Sequence, residues 1–138
     1  MARILVIDDD KLVRVTVQTM LAAGGHEAVL AVDGEDGIVQ FRNRQIDLVL
    51  CDTAMPRKDG FETIRDIRRL SPGIPIISMT GSYPRPSGGA HLDPGFLQMS
   101  KQAGATKVIA KPLRLEELLA LIRQCLEPSQ TQTQGARA

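Results

Sequence analysis

Charge of one sign is missing from this chain: 17 lysines and arginines stand against 16 acids, a net charge of +1 over 138 residues. Without a long-range field, bulk electrostatics cannot select a nucleic acid, an anionic membrane or an acidic substrate, so function must sit in a local site. Cysteine is equally scarce. Cys51 and Cys125 lie far apart, with no CxxC spacing and no histidine-rich neighbour. The expectation is two core thiols in a reducing cytosol, which excludes a disulfide framework or a zinc site. His26 and His91 have no metal-ligand partner at suitable spacing and read as surface residues. Long apolar runs are absent too. The N-terminus offers only residues 4–7 before three acids, far short of a signal-peptide core or of the ~20 apolar residues that span a bilayer. A soluble, cytoplasmic protein is expected, with one core, since two domains would need ~100–150 residues each.

What is present is an alternation. Residues 4–7, 46–51 and 74–79 are rich in Ile, Val and Leu at successive positions, as in strands buried on both faces of a sheet. Between and after them, apolar residues recur at helical spacing: Leu12, Val15, Thr16, Thr19 and Met20; Ile38 and Phe41; Phe61, Ile64 and Ile67; Leu115, Leu118, Leu119, Ile122 and Leu126. Two weaker strands, 27–32 and 107–110, each follow a glycine able to close a helix, Gly24 or Gly25 and Gly104. The pattern predicts five β/α units with right-handed crossovers and a parallel sheet. Asp93 before Pro94 predicts the N-cap of a fourth helix reaching Ala103, with residues 81–92 as loop. The domain is expected over 1–127, and residues 128–138, with no large apolar side chain, are expected to form a disordered tail.

In an open parallel sheet, reactive groups gather beyond the carboxyl ends of the strands. Here the first strand ends in Asp8 and Asp9, the third in Asp52, the fourth in Thr80 and the fifth in Lys111, followed by Pro112. Three carboxylates in one pocket need an offsetting cation. All-oxygen donors suit Mg²⁺, and the lack of His or Cys argues against zinc. With Lys111 neutralising a phosphate oxygen, a carboxylate oxygen of Asp52 can attack phosphorus in line and form an acyl phosphate. Thr80 would then move to hydrogen-bond the new anion and draw its loop along. Asp10 is expected to cap the first helix, and Gly60 to serve backbone geometry.

The motifs Ile4-Leu-Val-Ile-Asp-Asp-Asp10, Asp47-Leu-Val-Leu-Cys-Asp52 with Met55-Pro56 and Asp59-Gly60, Met79-Thr80-Gly81, and Ala110-Lys111-Pro112 resemble the receiver domains of two-component response regulators, over about residues 2–127. The resemblance implies a CheY-like, flavodoxin-like α/β fold: a doubly wound five-stranded parallel sheet in strand order 2-1-3-4-5. By the same resemblance Asp9 contacts Mg²⁺ directly, Asp8 acts largely through bound water, and Asp52 is both phosphoacceptor and metal ligand. Ala54 offers its backbone carbonyl to the metal, Thr80 is the switch hydroxyl and Lys111 the phosphate-binding lysine, and Pro112 occupies a position where a cis peptide is frequent. The implied function is a stand-alone signalling switch, not an enzyme beyond promoting its own phosphoryl transfer and hydrolysis. It would be phosphorylated by a histidine kinase or phosphotransfer protein and read by a downstream protein, with no direct nucleic acid or membrane contact. Oligomeric state, kinase and pathway are left open.

Two features depart from that pattern. Val108 stands where many receivers carry an aromatic residue, and the Pro/Gly-rich segment after Thr80 is long, so the loop that holds Tyr83, the single tyrosine, is expected to carry the signal. Competing readings are a receiver-fold adaptor that works unphosphorylated, a flavodoxin-like cofactor binder and an aspartyl phosphohydrolase. The acids after the first strand would repel a bare cofactor phosphate, and the hydrolase would need a second carboxylate where Ala54 stands.

Overall fold

The computed structural model describes residues 1–53, 59–81, 83–84, 90–91 and 94–127, with backbone alone at 81, 83–84 and 90–91. In chain order the elements are β1 (Arg3–Ile7), α1 (Lys11–Ala23), β2 (Glu27–Ala31), α2 (Gly34–Asn43), β3 (Leu48–Asp52), α3 (Gly60–Leu70), β4 (Ile76–Gly81), β5 (Tyr83–Pro84), β6 (Ala90–His91), α4 (Pro94–Ala103), β7 (Lys107–Lys111) and α5 (Leu115–Leu126). Five strands form a parallel sheet in the order β2-β1-β3-β4-β7, the expected doubly wound order with β7 as its fifth strand.

The successive apolar residues of the strands serve two cores. Ile4, Val6, Leu48, Leu50, Ile77, Met79 and Ile109 pack with Val17 and Leu21 of α1 and Leu118 and Ile122 of α5. Leu5, Ile7, Val49, Cys51 and Ile76 pack on the other face with Ile64 and Ile67 of α3 and Ala103 of α4. Period-two alternation divides each strand between the two layers. Helix starts follow local chemistry: the carboxylates of Asp10, Asp33 and Asp59 accept from the backbone N–H of Leu12, Asp36 and Glu62, each cap contributing about 1 kcal/mol. Gly24 caps α1, and Gly104, at φ +113°, follows α4 in the left-handed region that favours glycine.

Some boundaries differ from the sequence expectation. β4 starts at Ile76, because Pro75 has no N–H to give the ladder and contributes only its carbonyl, to Val49 N. The expected loop over residues 81–92 is a correction: Gly81 ends β4, and Tyr83–Pro84 pairs antiparallel with Ala90–His91. Pro and Gly content marks the turn but carries no information on which flanking backbones pair across it. The cap expected at Asp93 and the tail expected over 128–138 lie outside the described residues.

Candidate functional site

The same alternation that builds the core delivers the polar groups. Asp8, Asp52 and Lys111 are each the next same-face position beyond a core residue of the α1/α5 layer, namely Val6, Leu50 and Ile109. Because β1, β3 and β7 run parallel, these three side chains emerge at one end of the sheet. Asp9 follows Asp8 at the start of the β1–α1 turn.

Lys111 Nζ donates to Asp8 Oδ2 at 2.8 Å and lies 3.3 Å from Asp52 Oδ1. Asp8 is fully buried and Asp52 4% exposed, so the ammonium bridges two carboxylates removed from water. Burial alone would lower the Lys111 pKa. The hydrogen bond to Asp8 and the charges of Asp52 and Asp8 outweigh it, and the pKa lies above the ordinary lysine value.

Asp8, Asp9 and Asp52 can each direct a carboxylate oxygen so that all lie within 4.8 Å of one another. Among the described residues, three acids meet one contacting ammonium, and the donors are hard oxygens. That donor set fits a divalent cation of the Mg²⁺ type.

Backbone contacts hold the carboxylates in place. Asp8 Oδ1 accepts from Asp10 N at 2.9 Å, and the Asp8 carbonyl accepts from Arg14 Nη1 at 2.8 Å. Just past β3, Thr53 donates from both its N–H and its hydroxyl to the Met79 carbonyl, each at 3.2 Å. Gly60 packs directly on the backbone of Asp52 and Thr53, and a Cβ there would collide with the Asp52 carbonyl and Thr53 Cα. The close approach explains glycine at this position. Cys51 sits beneath the site, fully buried. Burial first, then the charges of Asp52, Asp8 and Asp59, push its thiol pKa well up, so it stays protonated and inert.

The structure thus brings together Asp8, Asp9, Asp52 and Lys111. Thr80 stands on the neighbouring strand, one residue past Met79, which pairs with Asp52, and its own register partner is Ala110. The Lys111–Pro112 peptide is cis. Ala54, expected to offer a carbonyl, lies outside the described residues. Arg14 and Thr53 were not singled out by sequence reasoning. Their signal is weak, since one contributes a single contact to a carbonyl six residues back and the other a bond to a strand distant in sequence.

The response regulator receiver domain family matches residues 4–123 of the chain. The response regulator MprA of Mycobacterium sp. (strain KMS) is 37% identical over 124 residues, which is 90% of this chain and 50% of MprA. The transcriptional regulatory protein ZraR of Salmonella typhimurium is 34% identical over 123 residues, 89% of this chain and 26% of ZraR. The chain therefore spans half or less of these curated relatives. Among solved structures, the chemotaxis protein CheY4 of Vibrio cholerae superposes with a TM-score of 0.81 at 28% identity, covering 91% of this chain and 99% of that one. A CheY-like receiver domain protein of Methanospirillum hungatei gives 0.80 at 28% identity, covering 91% and 94%.

Proposed function

The chain belongs to the response regulator receiver domain family, and from that premise we propose that Asp52 accepts a phosphoryl group from a histidine kinase or phosphotransfer protein and signals through a partner protein. The observation that carries the reading is Lys111 bridging Asp8 and Asp52 at the strand ends, with contacts of 2.8 and 3.3 Å.

In this reading a carboxylate oxygen of Asp52 attacks phosphorus as the bond from phosphorus to the donor's histidine nitrogen breaks, and the nitrogen keeps that electron pair. Thr53 and Gly60 hold the β3 backbone so that the nucleophile does not drift. Lys111 lies close enough to Asp52 to follow the added charge and bind a phosphoryl oxygen, released in part from Asp8. Asp8, Asp9 and Asp52 would hold Mg²⁺, which supplies charge neutralisation for the phosphoryl oxygens. The Thr80 hydroxyl then hydrogen-bonds the new anion and carries the end of β4 with it. The receiver domain is assigned to residues 1–127, and its location to the cytoplasm; among the described residues no helix is long and apolar enough to cross a membrane.

Intact-mass measurement after incubation with acetyl phosphate and Mg²⁺ tests the reading. One added phosphoryl group is expected on the wild type, and none on Asp52→Ala or with the cation chelated. An unmodified wild type would leave an adaptor that works without phosphorylation.

A further inference from the structure

Along β4 the alternation that sends Ile77 and Met79 to the α1/α5 layer puts Ser78 and Thr80 on the opposite face, toward α3 and α4. Ser78 Oγ lies 3.0 Å from Ser100 Oγ of α4, and both residues are fully buried. The register partner of Ser78 on β7 is Val108, which brings no polar atom to this face. Two further contacts of α4 and its C-terminal end come from α3. The Phe96 ring meets Phe61 at a centroid distance of 6.0 Å, and Arg68 donates from Nε and Nη2 to the Gly104 carbonyl at 3.1 and 2.7 Å. The serine pair instead reaches α4 from the strand that bears Thr80.

The bond between the two hydroxyls pairs one donor with one acceptor in an apolar layer. If they separate, each loses its partner where no water replaces it. Ser100 can also donate to a carbonyl of its own helix, three or four residues back, on Leu97 or Phe96. While the bond holds, α4 and the strand bearing Thr80 are tied at this point, and once it parts they are not, which is the property a coupling contact needs.

We propose that the Ser78–Ser100 hydrogen bond is the positioning contact through which displacement of Thr80 on β4 is passed to α4. This rests on the Asp52 reading above. When Thr80 is drawn toward a charged group on Asp52, Ser78 two residues earlier moves with the strand. Either α4 follows it or the hydroxyl pair parts and Ser100 turns to its own helix. In both cases α4 reports the state of Asp52.

The test uses beryllofluoride with Mg²⁺ as a phosphoryl analogue on the full chain. Fluorine NMR reads binding at Asp52, and backbone amide NMR reads Thr80 and residues 94–103. The Ser78→Ala/Ser100→Ala double variant removes both partners of the bond together and leaves neither hydroxyl stranded, so it keeps its fold. Ser100→Ala alone, in which Ser78 can turn to a backbone carbonyl, is the second variant. In the wild type, binding is expected to shift the Thr80 amide and those of α4. In both variants the fluorine signal and the Thr80 shift are expected to persist while the α4 shifts are lost. Persistent α4 shifts in the variants overturn the coupling and leave the Asp52 reading standing, as do a wild-type α4 that ignores binding and variants that no longer bind. A wild type that binds no beryllofluoride overturns both.

Discussion

Between Lys111 and the acids it bridges, removal of the positive charge and removal of a negative one have opposite consequences. The ammonium stands between two buried carboxylates, and deleting one partner of a buried ionic group leaves the rest uncompensated. Lys111→Met is expected to lower stability in metal-free buffer by about 3 kcal/mol, measured by urea unfolding. Asp52→Asn removes one of the converging negative charges and keeps a polar atom. It is expected to raise stability by on the order of 1 kcal/mol under the same conditions. If both substitutions destabilised equally, repulsion among the acids would not be the governing force. The cysteines differ by burial: Cys51 is fully enclosed and Cys125 half-buried, with burial raising both thiol pKa values. An aromatic disulfide reagent should titrate at most the Cys125 thiol in the native protein and both thiols in denaturant, and native reaction at Cys51 would contradict the packing beneath Asp52.

Among the elements, one side chain gathers three backbone segments at the junction of α3, α4 and β4. Arg68 donates to the carbonyls of Pro72, Ile74 and Gly104, at 2.8, 2.7 and 2.7 Å, and so gathers the turn after α3, the approach to β4 and the end of α4. A planar guanidinium can address several carbonyls at once, whereas a lysine ammonium on a flexible stem cannot reproduce that fork. Arg68→Met is expected to cost about 1 kcal/mol by leaving partly buried carbonyls unpaired, and Arg68→Lys should fail to restore it, as read by thermal or urea unfolding. The sequence showed Arg68 only as one of several basic residues at the end of an amphipathic helix, because its partners are backbone carbonyls whose positions depend on tertiary packing. The apolar runs of β1 and β3 were legible because burial on both faces removes the polar positions. The pairing of Tyr83–Pro84 with Ala90–His91 was not, since two-residue strands hold too few positions to show a period.

For the whole molecule, a divalent cation held at the acidic cluster, as proposed above, would tie stability to its concentration. A ligand that binds only the folded state stabilises it by mass action, by about 2.7 kcal/mol at a hundredfold excess over its dissociation constant. Added Mg²⁺ should therefore raise the unfolding midpoint of the wild type and have a much smaller effect on Asp52→Ala, whose donor set is one carboxylate short; calorimetry in chelator and in Mg²⁺ checks this. The sequence by itself determined the five β/α units, a parallel sheet and the identity of Asp8, Asp9, Asp52, Thr80 and Lys111 as strand-end residues. These follow from period and position, which are properties of short stretches of chain. Only the tertiary structure decided that Lys111 bridges Asp8 and Asp52, that Gly60 rests on the Asp52 backbone, and that Ser78 meets Ser100 across the α4 layer. Contacts between residues far apart in the chain depend on how strands align and helices pack, and no local pattern records that alignment.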